Sequence, residues 1–303
     1  RPGMRILWQL LLAGLLSGPS IRFDPYDWLK RLGATGLTPL LRLELRDMLA
    51  PRLRIRQAYR YEGDDPKPAN PDARPGDLVD IELALAVEHA HSALDAFKVS
   101  SAWHAALPHL LDTATALLID AIDLLAQTRQ ADSRYDHSYW QQASIAEHEQ
   151  NQKYRDWTVL IELLRDSWVA TAESTPERAI LEVRRWAGVR YPIFRRFVFF
   201  ALAERRNLFE MSETIEHLMA EEGWWLWSIE TQREAMVLLR SIAPELDAAA
   251  SRRLQQAIMS GPPREMYRDD TDPIDVKRMM DREIGLRLSA LLDFGAKPTT
   301  NAR

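Results

Sequence analysis

The stretch PERAILEVRRWAGVRYPIFRRFVFFALAE, residues 176–204, contains the features that decide the fold. Two segments of helix-favouring composition are separated by Gly188, and each begins with a proline, Pro176 and Pro192. Proline is well tolerated in the first turn of a helix, and glycine is favoured just beyond its end. This stretch therefore predicts two helices joined by a short turn.

The same punctuation continues toward the C-terminus. The segment TQREAMVLLRSIA, 231–243, begins with Thr231 and Glu234 in the spacing of a capping box, which predicts a helix start near residue 232. The next segment, PELDAAASRRLQQAIMSG, 244–261, predicts another helix that stops at Gly261.

Toward the N-terminus, apolar residues repeat at helical spacing over 83–97 and again over 110–125, which predicts two long helices that pack as an antiparallel pair. A further stripe over 157–168 predicts another helix. Helix pairs with broad apolar faces are the units of solenoid proteins. We therefore predict an all-α fold, an irregular α-solenoid of HEAT- or TPR-like helix pairs.

The composition agrees with a helical protein. The 303 residues include 46% apolar and 27% charged residues, which is ordinary for a soluble chain, and only 12 glycines. No cysteine is present, so disulfides, thiolate nucleophiles and cysteine-based zinc sites are excluded.

One proline-rich stretch suggests the domain organisation. Residues 62–77, EGDDPKPANPDARPGD, contain four prolines and no apolar face, which is typical of a solvent-exposed loop or linker. We expect four regions: an N-terminal helical segment with a basic extended piece at 1–61, the loop at 62–77, a helical-repeat domain at 78–295 and a disordered tail at 296–303.

The N-terminal region is basic although the whole chain has a net charge of −5. Residues 1–61 carry eleven Lys/Arg against four Asp/Glu, a net charge of +7. Within PRLRIRQAYRY, 51–61, apolar residues alternate with arginines, which predicts at most an edge strand. The arginines of this region have two open interpretations, contact with nucleic acid and contact with a neighbouring acidic domain. These arginines are Arg42, Arg46, Arg52, Arg54, Arg56 and Arg60.

The apolar run that follows Met4, in MRILWQLLLAGLLSG, has the composition of a signal peptide but is followed by a poor cleavage site. The run is also too short to span a bilayer. We therefore expect a buried helix here and a cytoplasmic protein without a membrane segment.

Patterns that would indicate catalysis are scarce. The sequence lacks a Walker phosphate loop, a GxGxxG motif and a GxSxG motif. His89 and His91 lie two residues apart, which on a helix prevents them from chelating one ion. Asp112, Asp120 and Asp123 form a solvated acidic face rather than a paired-carboxylate site. We therefore expect no catalytic residue, metal site or cofactor, and we interpret the polar stretch 131–155 as irregular.

Three tryptophans precede the helix that starts near residue 232. In EEGWWLWSI, 221–229, successive turn residues cannot all face one core, yet each indole buries on the order of 200 Å². We expect two rings to pack between helix pairs and one to lie nearer the surface. The candidate partner-binding residues are Trp224, Trp225 and Trp227.

Five ordered segments stand out across about residues 4–290: GLTPLLRLELRDMLAPRLRIR, SIAEHEQNQKYRDWTVLIELLRDSW, YPIFRRFVFFALAE, WWLWSIETQREAMVLLR and AIMSGPPREMYRDD. They resemble the C-terminal region of large bacterial STAND-type P-loop NTPases associated with anti-phage defence, some of which carry sirtuin-like N-terminal modules. The resemblance implies a helical-repeat sensor that binds a target and regulates an NTPase core. No catalytic motif of that family lies within this chain.

These observations together predict a non-catalytic recognition, sensor or scaffold domain. Its expected partner is a protein target or a neighbouring NTPase domain. Any NTPase or NAD-consuming activity would belong to modules outside this chain. The alternative function is that of a nucleic-acid-binding helical protein that uses the arginine-rich segment 42–60.

Overall fold

The computed structural model describes residues 24–57, 79–151 and 155–297, with only the backbone described at 55–57 and 79–80. The described chain is mostly helical and contains one two-stranded sheet, which confirms the coarse helical prediction. The helix predicted after Met4, the loop at 62–77 and most of the predicted tail lie outside the described residues. None of the described helices combines the length and hydropathy that a bilayer span requires.

Packing divides the chain into two compact units. Unit 1 contains Arg1–Ala131 and Lys153–Ala170, and unit 2 contains Asp132–Gln152 and Thr171–Arg303. The sequence suggested a boundary at 62–77 instead, but packing places the residues on its two sides in the same unit.

Unit 1 begins with two short helices whose ends follow local sequence signals. Helix α1, Pro25–Thr35, is capped by Asp24, whose carboxylate accepts hydrogen bonds from the amides of Tyr26 and Asp27. Helix α2, Pro39–Met48, is capped by the side chain of Thr38. Both helices carry proline in the first turn, where the missing amide donor has no intrahelical partner to lose.

Strands β1, Pro51–Gln57, and β2, Val79–Leu85, form an antiparallel pair in which Leu53 lies opposite Leu83. The extended piece predicted at 51–61 is therefore a strand, whereas the helix predicted from residue 83 is wrong over β2. Residues 79–85 alternate between apolar and other residues, so they fit a strand as well as the start of a helical stripe. The cross-strand partner, distant in sequence, decides between the two periods.

The rest of unit 1 packs around an aromatic cluster. Helix α3, Ala90–Phe97, is followed by the long helix α4, Ser101–Gln127, so the predicted pair of long helices is reduced to one. The ring of Phe97 lies 5.2 Å from both Trp28 and Trp103, between ring centroids. The Trp28 indole donates a 2.9 Å hydrogen bond to the carbonyl of Leu41, which ties α2 to this cluster.

Unit 2 consists mainly of helices. It contains the short helix α5, Ser138–Gln141, and then the C-terminal end of α6, Val159–Ser174. The stripe predicted over 157–168 is buried, which confirms the α6 prediction. The remaining helices are α7, Pro176–Ala187; α8, Pro192–Glu204; α9, Met211–Met219; α10, Trp224–Trp227; α11, Gln232–Ile242; α12, Ala248–Met259; and α13, Pro273–Leu292.

The predicted termini of α7, α8, α11 and α12 are confirmed to within a few residues. Helix α13 was not predicted, because its few buried residues do not make a strong stripe. The first residues of the predicted tail are packed, since Ala296 is buried and the carbonyl of Lys297 accepts a 2.8 Å hydrogen bond from Gln255.

Candidate functional site

The tryptophan turn, defined as residues 221–231, connects α9 to α11 in unit 2. A 3-10 turn at Glu221–Gly223 leads into α10, and Gly223 adopts a φ of 78° that favours glycine. Trp225 and Trp227 are 1% and 7% exposed, whereas Trp224 is partly exposed. The prediction of two core rings and one ring nearer the surface is confirmed.

Glu221 organises the outer side of this turn. Its carboxylate accepts hydrogen bonds from the Trp225 indole at 2.7 Å, from Arg134 at 3.0 Å and from Arg195 at 3.1 Å. The Arg134 guanidinium also lies 4.1 Å from the ring centroid of Trp224. An exposed arginine is thus fixed on the face of the partly exposed tryptophan by a carboxylate and a cation–π contact.

The inner side of the turn is held by a buried arginine of α13. The guanidinium of Arg287 lies 4.3 Å from the ring centroid of Trp227 and donates a 2.9 Å hydrogen bond to the carbonyl of Leu226. Burial lowers the pKa of Arg287, which its ion pair with Glu283 opposes. The tryptophan turn is therefore held by Glu221 on its outer side and by Arg287 on its inner side.

The predicted capping box at the start of α11 does not form. The hydroxyl of Thr231 donates to the carbonyl of Trp225 at 2.5 Å and makes no side-chain cap. Glu234, the other half of the predicted box, points its carboxylate to Arg196 instead. A buried guanidinium needs a charge partner more than a helix terminus needs a cap, because an unpaired buried charge is very costly.

Arg196 lies at the centre of a buried polar network between α8, α11 and the irregular segment 132–151. It is fully buried and makes two 3.0 Å hydrogen bonds to Glu234. Its other donors reach the Ser138 hydroxyl at 3.2 Å and the Gln142 carbonyl at 2.8 Å. Glu234 also accepts from the amide of Ile145 at 2.9 Å. The segment is irregular, as predicted, but side chains anchor it.

A carboxyl pair lies beside this network. Asp136 is 1% exposed and accepts hydrogen bonds from the amides of Ser138 at 2.9 Å and Ile193 at 2.6 Å. Glu230 is 4% exposed and accepts a 3.4 Å bond from the amide of Asp136. Burial, followed by the charge of Asp136, raises the pKa of Glu230 to about 8. Glu230 therefore favours its protonated form at neutral pH.

No local sequence pattern indicates this pair, because its members lie 94 residues apart in the chain. Asp136 fell in the stretch interpreted as irregular, and Glu230 fell between the tryptophans and the predicted cap. The one available signal was the density of polar residues in that stretch next to apolar helices.

The candidate arginines belong to unit 1 and the tryptophan turn to unit 2, so the two candidate groups lie in different units. Arg42 and Arg46 are exposed on α2, and Arg52 is exposed on β1. Arg54 forms a 3.3 Å ion pair with Glu88. Arg56 is described only by its backbone in β1, and Arg60 lies outside the described residues.

A second buried polar cluster surrounds His91 in unit 1. Its Nε2 lies 3.0 Å from the Thr158 hydroxyl, and its Nδ1 lies 3.6 Å from Glu162, which also pairs with Lys98 at 3.0 Å. A hydroxyl, an imidazole and a carboxylate in this order resemble a hydrolase triad. Thr158 is fully buried, however, and donates to the carbonyl of Arg155, so the cluster fixes the start of α6.

The other acidic and histidine candidates are exposed or partly exposed. His89 is exposed and lies before α3, and Asp112 is exposed on α4, where Asp120 and Asp123 are partly exposed. Among the described residues, no group of three His, Asp or Glu side chains is arranged to hold a metal ion.

The chain matches no protein-family model, no curated protein and no solved structure.

Proposed function

We propose that this chain is a non-catalytic recognition domain of a bacterial defence protein, in which it serves as the C-terminal sensor of a STAND-type NTPase. Its helix pairs would form an irregular α-solenoid, and its partner would be a protein target or the neighbouring NTPase domain in the cytoplasm. The sequence resemblance and the mostly helical architecture support this proposal.

The observation that carries the proposal is the Arg134–Trp224 contact. Tryptophan and arginine are the residues most enriched at the energetic centres of protein interfaces. Here the pair is held in place before any partner arrives, because Glu221 binds Arg134 and the buried ring of Trp225 fixes α10. Such preorganisation reduces the entropy lost on binding.

The buried polar clusters are better explained as structural support than as catalytic groups. Arg196 and Glu234 form an ion pair with each other. The hydroxyl of Thr158 is buried and donates a hydrogen bond to the carbonyl of Arg155. We therefore assign ATP or NAD turnover to modules outside this chain.

Titration calorimetry of the purified chain against a STAND-type NTPase core from the same genome tests the proposal. Trp224→Ala should weaken binding by tenfold or more, in the range of interface hot spots of about 2 kcal/mol. Trp140→Ala is the matched control, because Trp140 is 82% exposed in the same unit and no arginine of the described residues stacks on its ring. Equal affinity of wild type and Trp224→Ala would contradict the proposal.

A second candidate function is polyanion binding through unit 1. Arg42, Arg46 and Arg52 are exposed, and none of them has an ion-pair partner within the described residues. Binding to single-stranded RNA or DNA, measured by anisotropy between 50 and 200 mM salt, tests this candidate. The triple replacement by alanine should flatten the logarithmic salt slope by about 2 to 3 if these residues neutralise phosphates.

A further inference from the structure

The carboxyl groups of Asp136 and Glu230 lie in a place where negative charge exceeds positive charge. Three buried carboxyl groups, those of Asp136, Glu230 and Glu234, surround one buried guanidinium, that of Arg196. Arg196 directs two N–H donors to the Glu234 oxygens, one to Ser138 and one to Gln142. Four of its five donors are thus used, and among the described residues none of its hydrogen bonds reaches Asp136 or Glu230.

The hydrogen bonds show which of the two carboxyl groups is ionised. Asp136 accepts from two backbone amides, and one of them, that of Ile193, lies in the first turn of α8, where the helix dipole favours negative charge. Glu230 accepts only one long bond, from the amide of Asp136. The proton therefore belongs on Glu230, whose carboxyl group forms a side-chain hydrogen bond with Asp136.

We propose that Asp136 and Glu230 form a one-proton latch that fastens segment 132–138 to the tryptophan turn and opens when Glu230 loses its proton. With both groups ionised, two carboxylates repel each other in a buried site where Arg196 bonds to neither of them. Asp136 stays in place because two backbone amides donate to it, so it is the Glu230 side chain that moves away from Asp136. The exposed Arg134–Glu221 pair must then hold the segment to the turn without this buried attachment, so the position of Trp224 under Arg134 changes.

The titratable groups that face Glu230 come from the segment, from α8 and from α11. His137 lies on the segment with Nδ1 3.9 Å from a Glu230 oxygen, and its side chain is exposed. Tyr139 is on the same segment, and burial and the charge of Glu230 raise its pKa. From α8, Arg196 is the charged neighbour, already bound to Glu234 of α11. The raised pKa of Glu230, about 8, places the opening in the mildly alkaline range.

The latch is an inference about conformation and does not depend on the proposed recognition role. Carbon-13 NMR of the full chain labelled at glutamate carboxyl groups tests its first part. The Glu230 signal, identified by its loss in Glu230→Gln, should titrate near pH 8. Titration in the ordinary glutamate range would overturn the proposal.

The indole N–H signal of Trp224, identified by its loss in Trp224→Phe, tests the second part. It should shift between pH 7 and 9 with the same midpoint as Glu230, and stay constant in Glu230→Gln, whose neutral amide still donates to Asp136. His137→Asn should preserve the shift, since His137 is not the latch. A Trp224 signal that is constant in wild type, or that shifts equally in Glu230→Gln, would overturn the latch.

Asp136→Asn gives an independent answer if Glu230→Gln fails to fold. Removal of the neighbouring charge should return the Glu230 midpoint toward the ordinary glutamate range. An unchanged midpoint near pH 8 would show that Asp136 does not share the proton and would overturn the proposal.

Discussion

Arg196 and Glu234 form a two-pronged ion pair that is sealed from solvent, with both N–O distances at 3.0 Å and exposures of 0% and 5%. The pair joins α8 to α11 and also holds segment 132–151, through Ser138, Gln142 and Ile145. One guanidinium thus organises three parts of unit 2.

Replacing Arg196 with Met should destabilise the protein by about 3–5 kcal/mol, because the Glu234 carboxylate is left buried without its cation. Urea unfolding measures this loss. Arg184→Met is the matched control on the neighbouring helix, since its 2.9 Å pair with Glu213 is exposed and should matter little. A double replacement, Arg196→Met with Glu234→Met, should be more stable than Arg196→Met alone. A double variant that is less stable would argue against this explanation.

The three tryptophans of the turn should differ in their contribution to stability. Trp225→Ala removes a 1% exposed ring and leaves a cavity, so it should cost about 3–5 kcal/mol. Trp224→Ala should cost clearly less, because its ring is partly exposed, and Trp140→Ala should cost almost nothing. Thermal melts of the three variants measure the order, and unchanged stability in Trp225→Ala would contradict the burial of that ring.

Two glycines offer a matched test of the packing of α13. Gly261 has a φ of 77°, and an added Cβ would lie 2.9 Å from the Met280 side chain, so Gly261→Ala should destabilise by about 1–2 kcal/mol. Gly285 lies in the same helix as Met280 with open space around it, so Gly285→Ala should stabilise by about 0.5–1 kcal/mol. Chemical unfolding of both variants checks the signs, and stabilisation by Gly261→Ala would show that α12 and α13 do not meet in this way.

The stability of unit 2 should depend on pH through Glu230. Its pKa is about 8 in the folded protein against an ordinary value of 4.5, so the folded state holds the extra proton between these values. The stabilisation is complete below pH 4.5 and is lost as the pH rises through 8. The free energy of unfolding of wild type relative to Glu230→Gln should therefore fall across this window. A constant difference from pH 5 to 9 would contradict the raised pKa.

Helix ends could be predicted because their signals are local. Pro176, Pro192 and Gly188 act within one turn of chain, so α7 and α8 begin and end where the sequence indicates. Residues 79–85 fit both a helical and a strand period, and only their pairing with 51–57 separates the two.

The candidate site was less predictable because its contacts join distant residues. Glu234 fits a capping box in sequence, yet its partner Arg196 lies 38 residues away, and Glu230 meets Asp136 across 94 residues. A local sequence pattern cannot show which buried cation forms an ion pair with a given carboxylate. The tryptophans were recognised because their density is visible in the sequence itself.

The ATP hydrolysis rate of a STAND-type NTPase core, measured with and without this chain, tests the central claim most directly. We predict that the chain alone hydrolyses neither ATP nor NAD, and that its addition changes the rate of the core, with a weaker effect for Trp224→Ala than for Trp140→Ala. Turnover by the chain alone that disappears on replacing residues within it would contradict the claim, and so would a core whose rate the chain leaves unchanged.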